Sequence, residues 1–245
     1  MAIIRTTLNY SPNFNLKKRS IKQIKFIIFH YTGMKKESDA IARLTDIQSE
    51  VSCNYLIKNN GEIVTMVPDT YIAWHAGKSF WGSYKSLNKN SIGIEITNPG
   101  HEFKYKKFSK KQIISILRLS KFLIRKYKIN CKDILGHSDI APDRKKDPGE
   151  KFPWKYLFEN KVGFWHKLKK QELKKSRTAK ITKKDKNFFF NNLFKIGYSK
   201  KTPKDLSKEL FLKYIVKAFQ RRFRPELING KIDRECLLIS DNLLK

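Results

Sequence analysis

With 245 residues, 40% hydrophobic and 13% aromatic, the chain has enough apolar material for one catalytic-sized domain plus a smaller unit, which excludes a wholly disordered protein. Its 53 Lys and Arg against 22 Asp and Glu give a formal charge of +31, a balance that attracts nucleic acid, anionic lipid or acidic wall polymer alike. Most of these cations are Lys, whereas bidentate phosphate recognition favours Arg, so nucleic acid is the less expected partner.

The N-terminal segment MAIIRTTLNYSPNFNLKKRS lacks the charged start and uninterrupted apolar run of an export signal, and no later stretch is long enough to cross a bilayer. As written, the chain reads as a soluble monomer without a transmembrane segment. A removed leader would leave the compartment open between cytoplasm and cell envelope. Cys53, Cys131 and Cys236 are odd in number and lack CxxC spacing, which argues against a disulfide framework or a thiolate metal site.

In chain order, the apolar run Lys25 to Phe29 predicts the first main strand, followed by a helix on the spacing of Ala40, Ile41, Leu44 and Ile47. Tyr55–Ile57 and Ile63–Val67 read as a hairpin around Asn59-Asn60-Gly61, and Ile92–Ile96 as a further strand. Ser109 and Gln112 form a capping box for a helix with Ile113, Ile116, Leu117, Phe122 and Leu123 inward and Lys110, Lys111, Lys121 and Lys126 facing water. This interleaving up to about Trp154 predicts an α/β fold with a mixed central sheet flanked by helices.

Beyond Lys167 the run KLKKQELKKSRTAKITKKDK is Lys-rich and poor in large apolar residues, as an exposed connector would be. Leu210, Phe211, Tyr214, Ile215, Ala218 and Phe219 then make a helical stripe, Asn229-Gly230 a turn, and Leu237, Leu238 and Leu243 a last helix. The expected organisation is a catalytic domain over 1–166, a basic linker over 167–186, and a small three-helix domain over 187–245.

Three hard-metal ligand types fall at or beyond strand ends: His30, His137 and Asp147. A catalytic zinc needs about three N or O protein ligands and one open position, which this set supplies without a thiolate. A lone His is more often structural, so spacing alone is a weak argument.

FIIFHYTGM, WHAG, SIGIEI and GHSDIAPDRKKDPGEKFPW closely resemble the zinc-dependent N-acetylmuramoyl-L-alanine amidases, a family that includes phage lysozyme-like amidases and animal peptidoglycan recognition proteins. The last motif is the most specific. The resemblance implies hydrolysis of the amide between N-acetylmuramic acid and L-alanine, in peptidoglycan or muropeptides, with one zinc held by His30, His137 and Asp147. It further implies Glu95 as general base, Lys145 as oxyanion stabiliser, and Tyr31 and His75 as residues lining the substrate groove. Lys146 is the alternative to Lys145, and Trp74 and Trp81 are either sugar platforms or core. His101 and His166 read as surface residues. Two departures stand out: Asn54, where many relatives carry His, and Asp143, where relatives often have a small or uncharged residue.

The segment KYIVKAFQRRFRPELINGKID is similar to the small peptidoglycan-binding domain of wall hydrolases, which implies a tethered wall-binding module. The rival readings are a peptidoglycan-binding protein without activity and, less favoured, a basic nucleic-acid-binding regulator.

Overall fold

The computed structural model describes residues 4–245; the first three residues of the segment considered for export lie outside the described residues. Its strands are β1 (Thr7–Leu8), β2 (Phe14–Asn15), β3 (Phe26–Tyr31), β4 (Tyr55–Ile57), β5 (Ile63–Thr65), β6 (Ile72–Ala73), β7 (Phe80–Trp81), β8 (Tyr84–Lys85), β9 (Ser91–Ile96) and β10 (Ile134–Gly136). Six of them form one sheet in the order β1-β5-β4-β9-β3-β10. Within this sheet the β4–β5 hairpin alone is antiparallel among the described residues, and Gly61 in its turn takes the positive φ of +85° that favours glycine. The α-helices are α1 (Glu37–Thr45), α2 (Lys110–Tyr127), α3 (His137–Ile140), α4 (Trp154–Glu159), α5 (Lys170–Ser176), α6 (Lys183–Ile196), α7 (Lys208–Phe223) and α8 (Arg234–Asn242). The α/β class and the mixed, helix-flanked sheet are as expected.

Strand alternation divides the core. On one face, Ile27 and Phe29 of β3 and Ile92, Ile94 and Ile96 of β9 pack against Ile116, Leu119 and Leu123 of α2. That helix begins at the Ser109–Gln112 capping box, with each side chain hydrogen-bonding the other residue's amide. Burying each of its core side chains contributes roughly 1.5–3 kcal/mol. On the opposite face lie Phe26, Ile28 and His30 of β3, and Ser91, Gly93 and Glu95 of β9, held in parallel register with His30 beside Glu95. His30 and Glu95 therefore stand side by side near one end of a single face.

The C-terminal helices cover the rest of that face. Phe26, Ile28, Leu135 and Ile140 share one continuous apolar cluster with Phe189, Leu193, Phe211, Ile215, Phe219 and Leu237. The expected connector over 167–186 differs in part: α5 buries Leu173 in this cluster, and Arg177 pairs with Glu235 and Glu226. Leu173 within the cluster, Leu168 and Ile181 against its edge, and the Arg177 guanidinium together dock a segment whose composition is otherwise that of a solvated run. Of the stripe on α7, Phe211, Ile215, Ala218 and Phe219 are buried while Leu210 is 38% exposed, and in and just beyond α8 Leu237 and Leu243 are buried while Leu238 is 36% exposed. The last turn of α7 is buried as well, Arg221 and Arg222 included.

Arg222 is 2% exposed, and its guanidinium lies 4.1 Å from the centre of the Trp154 ring and 4.5 Å from that of Phe164. It donates to Asp139 Oδ2 at 2.6 Å and to the Ile134 carbonyl at 2.9 Å. Tyr198 donates to Asp139 Oδ1 at 2.9 Å. Two residues of the helical unit thus grip the short helix that starts at His137.

Candidate active site

His30 projects from β3 on the polar face, and β10 ends at Gly136 so that His137 opens α3 beside it. The Asp139 carboxylate accepts the Gly136 amide at 2.8 Å and fixes this strand-to-helix turn. The loop beyond α3 returns Asp147, whose carbonyl accepts the Ser138 amide at 2.8 Å. His30 Nδ1, His137 Nδ1 and Asp147 Oδ2 then form a triangle 2.9–3.0 Å on a side. All three residues are buried.

Each ring has an identifiable tautomer. His137 Nε2 lies 3.2 Å from the Ala76 carbonyl, which can only accept, and 3.5 Å from Arg144 Nη2, which can only donate; the shorter contact puts the proton on Nε2 and a lone pair on Nδ1. Three N and O donor atoms gathered this closely fit a cation. In a tetrahedral zinc site with bonds of about 2.0–2.1 Å, neighbouring donors stand about 3.3 Å apart, within a few tenths of an ångström of the observed triangle. The site is thus a His-His-Asp group able to hold a metal ion, and its N and O chemistry suits zinc.

The electrostatics agree with that donor set. Burial, reinforced by His137 and opposed by Asp147, pushes the His30 imidazole down to about 4, keeping the ring neutral. Burial pushes the Asp147 carboxyl up, but the His137 and His30 imidazoles outweigh it and hold it well below the usual carboxylate range. Burial, with Asp147 adding to it and Lys145 opposing it, raises Glu95 to about 8. The Glu95 Oε2 atom is buried without a hydrogen-bond partner among the described residues.

These groups share a cavity of about 840 Å³ whose lining includes His30, Tyr31, His75, Glu95, His137, Lys145, Lys146 and Asp147. All the residues singled out for chemistry in the sequence therefore meet in one place. Tyr31 lines the cavity and bonds His101 Nδ1 at 2.9 Å, while His101 Nε2 bonds Glu150 at 2.9 Å. Burial, then Asp147, raises the Tyr31 phenol to about 12. His101, read as a surface residue, is a half-buried member of this wall; it has no motif around it to betray the role. Trp74 lines the cavity, whereas Trp81 is core and packs on Tyr198. Asn54 accepts the Gly93 amide at 3.0 Å and donates to the Val67 carbonyl at 3.1 Å, so it braces β9.

Residues 20–150 match the family model described as N-acetylmuramoyl-L-alanine amidase. The chain is 36% identical over 238 residues to the N-acetylmuramoyl-L-alanine amidase AmiD of Escherichia coli, covering 91% of this chain and 83% of that protein. The chain belongs to the N-acetylmuramoyl-L-alanine amidase family. This amidase is also 41% identical over 104 residues to the 1,6-anhydro-N-acetylmuramyl-L-alanine amidase AmpD of Escherichia coli, covering 42% of this chain and 55% of that protein.

Among solved structures, the amidase is similar to E. coli AmiD in complex with anhydro-N-acetylmuramic acid-L-Ala-D-γ-Glu-L-Lys, with a TM-score of 0.78 and 33% identity, over 94% of this chain and 91% of that one. It is likewise similar to AmpDh3 of Pseudomonas aeruginosa in complex with an anhydromuramic pentapeptide, with a TM-score of 0.77 and 29% identity, over 98% and 94% of the two chains. The amidase is a hydrolase of peptidoglycan catabolism, with the mixed α/β fold of these relatives.

Proposed function

We propose that the amidase uses one zinc ion, held by His30, His137 and Asp147, to cleave the amide between N-acetylmuramic acid and L-alanine in muropeptides. The observation that carries this reading is the 2.9–3.0 Å donor triangle on a cavity that also presents the unpartnered Glu95 carboxylate. Zinc, when bound, supplies Lewis acidity that makes water a nucleophile near neutral pH and polarises a carbonyl. Glu95 takes the proton of the attacking water and passes it to the departing amine of the stem peptide. The Lys145 ammonium faces the negative charge that develops on the amide oxygen. Tyr31, fixed by His101, lines the wall against which sugar or peptide lies.

Likeness to two amidases crystallised with anhydromuramic peptides favours wall fragments ending in the anhydro sugar as substrates. The helical unit over 187–245 contributes wall affinity beside the catalytic domain over 1–166, joined through the basic segment 167–186, and one chain suffices for activity.

Mass spectrometry of anhydromuramyl tripeptide incubated with zinc-loaded protein tests the reading. Release of free peptide is expected from the wild type and not from Glu95→Ala, whose zinc content stays normal. His137→Ala loses both zinc and turnover. A zinc-loaded wild type that binds the fragment and releases nothing would leave a binding protein without activity in its place.

A further inference from the structure

His75, which resemblance places on the substrate groove, lines the cavity, and both of its ring nitrogens have partners inside the protein. Ser91 Oγ donates to the Leu87 carbonyl at 2.7 Å, so toward His75 Nε2, 3.2 Å away, that hydroxyl serves as acceptor. His75 therefore carries its proton on Nε2 and a lone pair on Nδ1. That lone pair lies 3.0 Å from His30 Nε2, which must donate to it. His30 is left with its own lone pair on Nδ1, the atom in the donor triangle.

We propose that His75, oriented by Ser91, is a positioning residue that sets the His30 tautomer for metal binding, and that the Trp74–Gly77 loop presets both histidine ligands. The same loop supplies the Ala76 carbonyl that accepts from His137 Nε2. Adjacent residues of one loop thus orient both metal-binding rings, each through the nitrogen turned away from the ion. Such partners commonly govern ligand tautomer and metal affinity.

The surroundings hold the loop to this task. Asn88 Oδ1 accepts the amides of His75 at 3.1 Å and Ala76 at 2.7 Å. Arg144 donates to the Ala76 carbonyl at 2.6 Å and the Lys78 carbonyl at 2.7 Å. The His75 ring lies so close to β9 that a Cβ on Gly93 would stand 2.4 Å from its Cγ. Gly93 is thus needed for the approach of an imidazole, since its own φ is unremarkable for any residue. The His75 and His30 rings meet edge to face, with centroids 5.1 Å apart at 80°.

The inference rests on the zinc reading, and its test separates the two. Zinc affinity is measured by competition with a chromogenic chelator for wild type, His75→Leu, His75→Asn and Ser91→Ala, alongside kcat and KM. His75→Leu should weaken zinc binding about 10–100-fold. His75→Asn, which keeps an acceptor near the Nδ1 position, should recover part of that loss. Ser91→Ala, which touches no metal ligand, should also weaken zinc binding by letting His75 take the opposite tautomer.

A raised KM with zinc affinity unchanged in His75→Leu and Ser91→Ala would overturn the inference and return His75 to the substrate groove, leaving the zinc reading intact. A wild type without zinc affinity would remove both. Independently of any variant, long-range 1H–15N correlation spectra of the metal-free protein should show Nε2–H on His30, His75 and His137. An Nδ1–H on His30 or His75 would refute the relay.

Discussion

Replacing Arg222 by Met removes one side of a fully enclosed ion pair that joins the helical unit to the turn presenting His137. The guanidinium is held by Asp139 Oδ2 at 2.6 Å and the Ile134 carbonyl at 2.9 Å, and Asp139 keeps only the Gly136 amide and the Tyr198 hydroxyl once it is gone. Stranding a buried charge in this way costs about 3–5 kcal/mol. For a chain of this size that corresponds to a melting temperature lower by roughly 6–20 °C. Chemical and thermal denaturation followed by circular dichroism would measure it, together with Asp139→Asn and the double variant. The two single costs should not add, because each change already removes the pair. Zinc affinity should also fall, since Asp139 fixes the amide immediately before His137. Because the two halves share one apolar cluster, unfolding should be a single transition. A loss below about 1 kcal/mol for Arg222→Met, or separate transitions for the two halves, would refute the docking argument.

Lys145→Ala should lower kcat about 10²–10³-fold with zinc content unchanged, while Lys146→Ala stays near wild type; equal losses in steady-state assays would reject the assignment of Lys145. Gly136→Ala should destabilise the fold by about 1–3 kcal/mol and weaken zinc binding, because a Cβ there would meet Pro148 Cδ at 2.7 Å and the Trp154 ring at 3.3 Å; unaltered melting and metal affinity would contradict that crowding. In the metal-free protein, burial raises Glu95 to about 8 from an ordinary 4.5, so the protonated form is favoured by folding. The contribution is fully present below the unfolded value near 4.5 and is lost as pH rises through 8, by at most about 1.4 kcal/mol per pH unit. Denaturation of metal-free wild type and Glu95→Gln across this window should show the Gln variant gaining steadily on the wild type, and a constant difference would count against a buried, unpartnered carboxyl.

The sequence by itself determined the elements whose cause is local. Alternation in SIGIEI, the apolar run in KFIIF, the Ser109–Gln112 cap and the Asn-Gly turn act over a few residues, and each element they predict is present. The motif residues were legible through their resemblance to a known family, since spacing alone says little about a lone histidine, and the fold brings them to one cavity. What only the tertiary structure decided is how those residues are held. Arg222 looks like one more cation in a basic chain until Asp139, 83 positions earlier, meets it between Trp154 and Phe164. His101 acquires Tyr31 and Glu150, and His75 acquires Ser91 and His30, across separations that no periodicity encodes. The Lys-rich segment docks through Leu173 because α8 offers it a partner. Propensity and capping are properties of short windows, whereas hydrogen-bond direction, enclosure of a charge and the tautomer of a ring depend on which distant groups the fold places within about 3 Å.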